Sequence, residues 1–380
     1  MKRVPLRSIL WLFIVTRLLL IMVTYIGYIL LTAEKYSSTP VDTVALFTSW
    51  NHWDAANYVR IAQYGYQTRF DYAFFPLFPL LISAISHFLG SWSYLAVGMI
   101  LSNGALLGAM IILYQLATDA MGEQVAYRTL IYLCIFPTAF FFFTAYNESL
   151  FVLLALGTFL ALRRRRWWLA GLLGLFAALT RSAGILLTVP YLYEFWITRE
   201  SMITSKKNTI LAILPIILIP LGTGLYSIYS WQTTGDPFVF ASVQIHWARH
   251  LSWPWQGIWQ TSFELFWNQP FGSFNQVHDL LDLGATSAFI ILICLGWPKL
   301  RTSYNLWNGL LLLYILISPS TGQHDALISN QRFVLELFPA FMTLAMLGVR
   351  HPRLHQALLL LFPALLAILS ILFIMNRWIV

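Results

Sequence analysis

The stretch from Trp50 to Tyr66, WNHWDAANYVRIAQYGY, concentrates residue types that are suited to chemistry. Asp54 follows His52 and Trp53, and a carboxylate in this setting can accept a proton from an incoming hydroxyl. Apolar residues recur after it at helical spacing, and Gly65 ends the pattern. The stretch therefore predicts a short helix with a candidate general base in its first turn, where the positive helix end favours a carboxylate. Under the alternative interpretation, Asp54 only caps the helix and the tryptophans anchor it to a membrane interface.

The composition places these residues in an integral membrane protein. Of the 380 residues, 59% are apolar and 10% are charged, and the mean hydropathy is +0.70. Soluble chains carry about 25% charged residues. The net charge of +8 comes from short basic clusters between apolar segments, which argues against nucleic-acid binding. Cys134 and Cys294 both lie in apolar segments, so we expect neither a disulfide nor a cysteine-based metal site.

Apolar segments of spanning length recur along the whole chain and predict an all-α polytopic fold. They cover about 8–32, 74–90, 93–118, 125–143, 147–162, 167–197, 208–231, 278–297, 304–319, 331–349 and 354–376. Because about 20 residues cross a 30 Å hydrocarbon core, we expect roughly 10 to 12 transmembrane helices. The sequence shows no internal repeat and no low-complexity linker, so residues 1–380 are expected to form a single domain. The first segment is too long for a signal peptide and is expected to remain as a helix.

Basic clusters predict the orientation, because Lys and Arg collect in cytoplasmic loops. The clusters lie at the N-terminus and at residues 163–166, 199–207, 299–301 and 350–353. They place two long loops, residues 33–73 and 232–277, on the extracytoplasmic face, each with interfacial helices. The crossings between 119 and 197 alternate correctly only if one segment is short, re-entrant or broken. The polar interruptions Thr144–Ser149 and Thr180–Gly184 are the expected breaks.

Three ionisable residues within or beside apolar segments are further candidates, because such a side chain costs about 2.5–3.5 kcal/mol inside a membrane. Glu148 either binds sugar hydroxyls or orients the candidate base, or it is a loop carboxylate in the headgroup zone. Arg181 either binds a phosphate through a bidentate contact or snorkels to an interface. Arg332, after Gln331, either neutralises a departing phosphate or pairs with Glu336 four residues on.

The second long loop carries basic and aromatic residues that predict an interfacial helix. His246, Arg249 and His250 on such a helix contact either anionic lipid, or the sugar and its carrier. His246 and His250 have the spacing of a metal-binding pair, but no Glu-rich sequence follows, so no metal site is predicted. His324 and Asp325, in the outer loop at residues 320–330, are expected to be solvated, and contact of either with the acceptor is the alternative.

Several motifs occur in an order that resembles a known family. They are Trp53–Asp54, Ile61–Ala62, Gly65–Tyr66, Phe74–Pro79, Pro137–Phe140, Tyr146–Phe151, Ala178–Gly184, Gly235–Pro237 with Gln244, Trp247 and Trp253–Trp255, and Asn330–Phe333 with Phe338–Pro339. Together they resemble the PIG-V family, the second mannosyltransferase of GPI-anchor assembly and its prokaryotic relatives. The chain departs from the family pattern where a Glu is expected before the Phe-Phe-Pro, and Asp71 is the candidate substitute.

The resemblance implies a GT-C type glycosyltransferase. Such enzymes take a sugar, here expected to be mannose, from a polyprenyl-phosphate carrier on the extracytoplasmic face. They pass it with inversion to a hydroxyl of a glycolipid or glycan, and an acidic residue of the first outer loop serves as base, which is Asp54 here. The candidate substrate-binding residues are His52, Trp53, Asp71, Glu148, Arg181, His246, Gln331 and Arg332. No cofactor and no nucleotide-bound metal are implied, and a bacterial or archaeal cell membrane is the expected location.

Two other functions stay open at the level of sequence. A transporter or flippase of lipid-linked sugar predicts repeated half-helices and ionisable residues near the membrane midplane. The absence of a repeat and the gathering of polar residues at one face favour the enzyme. A GT-C enzyme with another sugar or a ligase role also fits, because spacing does not encode which hydroxyls are recognised.

Overall fold

The computed structural model describes residues 4–35, 38–90, 93–199, 206–320 and 325–377, and most of these residues are helical. The α-helices are α1 (Leu6–Thr32), α2 (Thr43–Thr48), α3 (Asp54–Tyr64), α4 (Leu77–Phe88), α5 (Tyr94–Met121), α6 (Glu123–Ile135), α7 (Glu148–Arg163), α8 (Trp167–Thr180), α9 (Thr188–Thr198), α10 (Lys206–Ile213), α11 (Leu218–Thr234), α12 (Val239–Ser242), α13 (Gln256–Phe263), α14 (Phe274–Gly296), α15 (Thr302–Leu316), α16 (Asn330–Phe333), α17 (Phe338–Arg350) and α18 (Pro352–Ile374). No β-strand occurs among the described residues, which confirms the predicted all-α class.

Long apolar helices give the chain its polytopic character. Among the described residues, five helical stretches are long and apolar enough to span a membrane: Leu6–Thr32, Tyr94–Met121, Ile210–Thr234, Phe274–Gly296 and Pro352–Ile374. The third of these joins the end of α10 to α11 through a 3₁₀ segment at Leu214–Ile217. A sixth span forms if Asn330–Glu336 and Phe338–Arg350, which meet at an 86° bend, are counted together. The other apolar segments of the sequence form shorter helices, so full-length spans are fewer in the described chain than apolar segments.

Both predicted helix breaks are confirmed. Helix α6 ends at Ile135, and α7 begins only at Glu148, with a 3₁₀ segment at Ala139–Phe142 between them. Helix α8 ends at Thr180, Arg181 is extended, and a 3₁₀ segment follows at Ser182–Leu187. The second break lies directly on the preceding helix, since a Cβ at Gly184 would collide with the backbone of Ala177 and Ala178.

The described residues group into two compact units. The first lies within Met1–Gly65, Phe78–Leu150 and Leu344–Ile379, and its core is formed by α1, α5, α6 and α18. The second lies within Tyr66–Leu77 and Phe151–Thr343. In that unit α8 packs along α11, and α14 packs against α13, α15 and α16.

Polar side chains of helix α5 donate hydrogen bonds to backbone carbonyls of the first break, the segment between α6 and α7. The Ser102 Oγ donates to the carbonyl of Tyr146 at 2.7 Å, and the Asn103 Nδ2 donates to the carbonyl of Phe143 at 2.9 Å. The Thr144 Oγ1 in turn donates to the carbonyl of Trp50 at 2.9 Å. Non-helical backbone at membrane depth is tolerated only where protein or a water-filled cavity satisfies it. Side chains of the protein therefore satisfy the backbone carbonyls of this break, and a hydrogen bond from Thr144 to Trp50 links the break to the loop just before Asp54.

Candidate active site

Asp54 is the first residue of helix α3, as the sequence predicts. The helix buries Ala55, Tyr58, Ile61 and Ala62 on one face, and the backbone N–H of Asp54 donates to the Tyr146 Oη at 3.2 Å. The Asp54 side chain is partly exposed. The first outer loop and the first break thus meet at the candidate base, and the loop holds it at a helix N-terminus, where a carboxylate is favoured.

The backbone of Trp53 is strained. Its φ of 55° and ψ of −124° lie in a region that a bulky L-residue rarely adopts. Such conformations cost about 1–3 kcal/mol and occur preferentially at functional sites, where the surrounding structure enforces them. The strain lies directly before Asp54, which supports a functional interpretation of this turn over simple capping.

His52 lies on the same turn and packs edge-on against Phe373 of α18, with ring centroids 6.3 Å apart. Burial lowers the pKa of His52, and a hydrogen bond with the backbone of Ile374 raises it by a smaller amount. Folding therefore shifts the imidazole of His52 toward its neutral form.

This shift predicts a pH dependence of stability. The unfolded chain binds a proton at His52 near the ordinary pKa of about 6.5, whereas the folded chain binds it only at lower pH. The free energy of unfolding therefore decreases as the pH falls below about 6.5. We expect the melting temperature of the purified protein to fall across this window and to fall less steeply in His52→Gln. Equal slopes for both proteins would contradict the prediction.

Glu148 is the first residue of α7 and is buried, as are its neighbours Asn147 and Ser149. The carboxylate therefore does not lie in the exposed headgroup position that one interpretation gave it. A buried carboxylate at a helix N-terminus is favoured electrostatically, and Glu148 lies two residues after Tyr146, whose Oη accepts from the backbone N–H of Asp54. Its proposed role toward the sugar stays a prediction.

Three arginines of the second unit converge on the ring of Phe333. The guanidinium carbons of Arg332, Arg249 and Arg181 lie 4.9, 5.2 and 5.3 Å from the ring centroid. Arg181 also forms an ion pair with the buried Glu336, with 2.8 Å between Nη1 and Oε1. These residues, called the Phe333 arginine cluster below, form a concentrated positive site partly removed from water, which suits a phosphate dianion.

The cluster bears on alternatives that the sequence left open. Arg181 is 18% exposed and forms an ion pair, and its phosphate-binding and snorkelling interpretations both stay predictions. Glu336, the proposed partner of Arg332, receives this ion pair from Arg181. The sequence pattern left two contacts open for Arg249, either anionic lipid or the sugar and its carrier, and the structure shows its guanidinium beside Phe333. Its Nη2 donates to the carbonyl of Ile328 at 3.0 Å, a contact across 79 residues of sequence.

The remaining candidates in the second unit have other contacts. The predicted interfacial helix is only α12 followed by a 3₁₀ segment at Val243–Trp247, on which His246 is exposed and packs on Phe70 with 5.3 Å between ring centroids. Asp71 is fully buried, and its Oδ2 accepts from the backbone N–H groups of Gln67 and Thr68 at 2.8 Å each. This carboxylate holds its own loop, so its proposed contact with substrate stays a prediction.

A buried group of acidic residues at the start of α14 was not found from the sequence. His278, Asp279 and Asp282 lie in the first turns of the helix, and the Nδ1 of His278 is 3.0 Å from the Oδ2 of Asp325. The prediction that Asp325 is solvated is wrong, because only 7% of it is exposed, while His324 lies outside the described residues. The backbone N–H of Gln331 donates to the Oδ1 of Asp282 at 2.8 Å. The local signal was the run of His278, Asp279 and Asp282 on one helix.

Comparison with known proteins shows which family the chain is similar to. The family model "Mannosyltransferase (PIG-V)" matches residues 6–230, which is more than half of the chain. GPI alpha-1,6-mannosyltransferase 2 of Cricetulus griseus is 32% identical over 161 residues, which cover 39% of this chain and 32% of that protein. The Homo sapiens protein of the same name is 32% identical over 146 residues, which cover 36% and 29%. The matched part is thus about a third of the length of these relatives.

The fold has a solved counterpart. The structure of ArnT from Cupriavidus metallidurans bound to undecaprenyl phosphate superposes with a TM-score of 0.51 at 14% identity, covering 83% of this chain and 60% of that one. At this identity the likeness shows the fold alone. With the family match across the first outer loop and both helix breaks, the chain belongs to the PIG-V mannosyltransferase family.

Proposed function

We propose that this protein transfers mannose from a polyprenyl-phosphate carrier to an acceptor hydroxyl on the extracytoplasmic face of a bacterial or archaeal cell membrane. Family membership supports the reaction class, and the matched relatives are named as alpha-1,6-mannosyltransferases. The ArnT structure with undecaprenyl phosphate supports a lipid-phosphate carrier for a chain of this fold. The distribution of basic clusters supports the extracytoplasmic side.

Asp54 is the general base in this proposal. The acceptor oxygen attacks the anomeric carbon as Asp54 takes the hydroxyl proton, and the bond from that carbon to the phosphate oxygen breaks with its electron pair. The products are the glycoside and the polyprenyl phosphate. A single displacement of this kind inverts the anomeric configuration. The position of Asp54 at the start of α3 and the strained Trp53 before it support this role.

The Phe333 arginine cluster is the observation that carries the proposal. When the glycosidic bond breaks, a phosphodiester becomes a monoester and gains negative charge on its oxygens. Preorganised donors aimed at charge that grows in the transition state lower the barrier, and a guanidinium fork matches phosphate geometry. Arg332 and Arg181 are the phosphate ligands, and Arg249 joins them. A lipid phosphate as leaving group needs no nucleotide-bound metal, so no cofactor is proposed for the transfer.

The other candidates have supporting roles in the proposal. His52, Trp53 and Glu148 belong to the first unit with Asp54 and are assigned to sugar or acceptor hydroxyls. Gln331 adjoins Arg332 and is assigned to the carrier headgroup, as is His246. Asp71 is assigned to the sugar through the family pattern, although its contacts fit loop support. The acceptor is a glycolipid or glycan.

The decisive experiment incubates purified protein with a panel of radiolabelled polyprenyl-phosphate sugars and a membrane extract as acceptor. We expect label to move from the mannose carrier into extract lipid or glycan. Efficient transfer from a nucleotide sugar in carrier-free vesicles would overturn the donor class. Movement of labelled carrier across a vesicle membrane without transfer would favour the flippase alternative instead.

A further inference from the structure

The acidic group at the start of α14 has the composition of a cation site. One ligand atom each from His278, Asp279 and Asp325 lies within 4.8 Å of the other two. Asp282 is close by, with its Oδ2 4.0 Å from the Nδ1 of His278. A shift of less than about 1 Å per side chain would bring three such atoms to the 2.0–2.2 Å bonds of a bound cation.

Asp279 gives an independent indication of a ligand. Its side chain is 1% exposed, and neither carboxylate oxygen has a hydrogen-bond partner in the described part of the chain. The Nε2 of His278 is likewise buried, with no hydrogen-bond partner among those residues. A buried polar group left in this state costs about 1–3 kcal/mol, and more if it is charged. Both side chains are therefore arranged to bind something that the protein itself does not supply.

The electrostatics point to a cation. Asp279, Asp282 and Asp325 place three carboxylates around one imidazole, and no lysine or arginine among the described residues forms an ion pair with them. Buried charges are normally paired or bound to a metal. We infer that His278, Asp279 and Asp325, with Asp282 beside them, bind a divalent cation that accepts mixed imidazole and carboxylate ligands, which is the chemistry of Mn²⁺ and Zn²⁺. The sequence-based expectation of no metal is revised at this one place.

The site has a direct connection to the arginines. Asp282 accepts hydrogen bonds from Gln331, through the backbone N–H at 2.8 Å and the side-chain Nε2 at 3.4 Å. Gln331 immediately precedes Arg332, and Ser329 enters this turn with a φ of 68°. A cation bound beside Asp282 would therefore fix the turn that presents Arg332. This consequence rests on the proposed function, whereas the binding itself does not.

Metal binding to the full-length chain in detergent tests the inference without any substrate. Metal content is measured on the protein as purified, and Mn²⁺ binding is then followed by electron paramagnetic resonance after chelator treatment, with Zn²⁺ as competitor. We expect one ion per chain and a rise in melting temperature on addition of Mn²⁺. Asp279→Asn and His278→Gln are expected to weaken binding at least about tenfold.

Asp236→Asn is the matched control, because Asp236 is a partly exposed carboxylate of the same unit that pairs with Arg69. It should bind Mn²⁺ as the wild type does. Wild-type protein that is purified without metal and binds neither ion would overturn the inference, as would unchanged binding in folded Asp279→Asn. Because no transfer is measured, failure here is distinct from failure of the proposed reaction.

Discussion

Asp54→Asn is expected to lower kcat for sugar transfer about 10³-fold, which lies within the range for loss of a general base. Asparagine keeps the size and shape of the side chain at the first residue of α3, and the backbone N–H can still donate to Tyr146. It cannot take the proton of the acceptor hydroxyl. The measurement is transfer from radiolabelled carrier by purified protein, together with carrier affinity, which we expect to be unchanged.

Asp42→Asn is the control for this variant. Asp42 lies in the same outer loop, is exposed, and caps α2 by accepting from the backbone N–H of Val44 at 2.8 Å. Asparagine caps a helix as well as aspartate does, so this variant should transfer at the wild-type rate. Full activity in a folded Asp54→Asn protein would remove the base assignment. Equal losses in both variants would trace the effect to the loop rather than to proton transfer.

Arg332→Gln is expected to lower kcat/KM for the carrier about 10²-fold, since removal of one preorganised donor to developing charge has effects of this size. Carrier affinity should fall as well, because in the proposed function the guanidinium also binds the ground-state phosphate. Arg332→Lys should restore only part of the loss, because an ammonium group cannot make the bidentate contact. Carrier-dependence of the transfer rate separates these effects.

Arg69→Gln provides the comparison for an arginine that lies outside the cluster. Arg69 belongs to the same unit and is 62% exposed, and its Nη2 lies 3.2 Å from the Oδ2 of Asp236. Exposed pairs of this kind contribute little, so near wild-type kinetics are expected. If Arg332→Gln kept both carrier affinity and turnover while Arg69→Gln impaired them, the phosphate-binding assignment would be incorrect.

The features of this site that could be predicted from the sequence are those with a local sequence pattern. The helix at Asp54 follows from apolar spacing and a carboxylate in the first turn, and the structure starts α3 at that residue. The breaks before Glu148 and after Thr180 follow from polar residues within apolar runs. Each of these features depends on residues only a few positions apart, so its pattern can be recognised in the sequence alone.

The missed parts depend on contacts between distant segments. Arg249 reaches Phe333, and His278 meets Asp325, in each case across more than 40 residues of chain. The spacing of residues along the sequence does not show which distant residues come into contact. The same limit applies to Arg181, whose partner could be chosen only after Glu336 was brought to it by the fold. Among the described residues, hydropathy also marks more apolar segments than there are helices of full spanning length, because it measures apolar composition and not where a helix ends.

The lack of a side chain at residue 184 bears on how this protein can diversify. A methyl group there would force the turn away from the helix on which it rests, and the guanidinium three residues earlier would move with it. Under the proposed function, adaptation to a different lipid carrier is therefore expected to proceed by exchange of side chains around the Phe333 ring. The backbone conformation of the turn from Arg181 to Gly184 is expected to be the same in proteins that differ in this way.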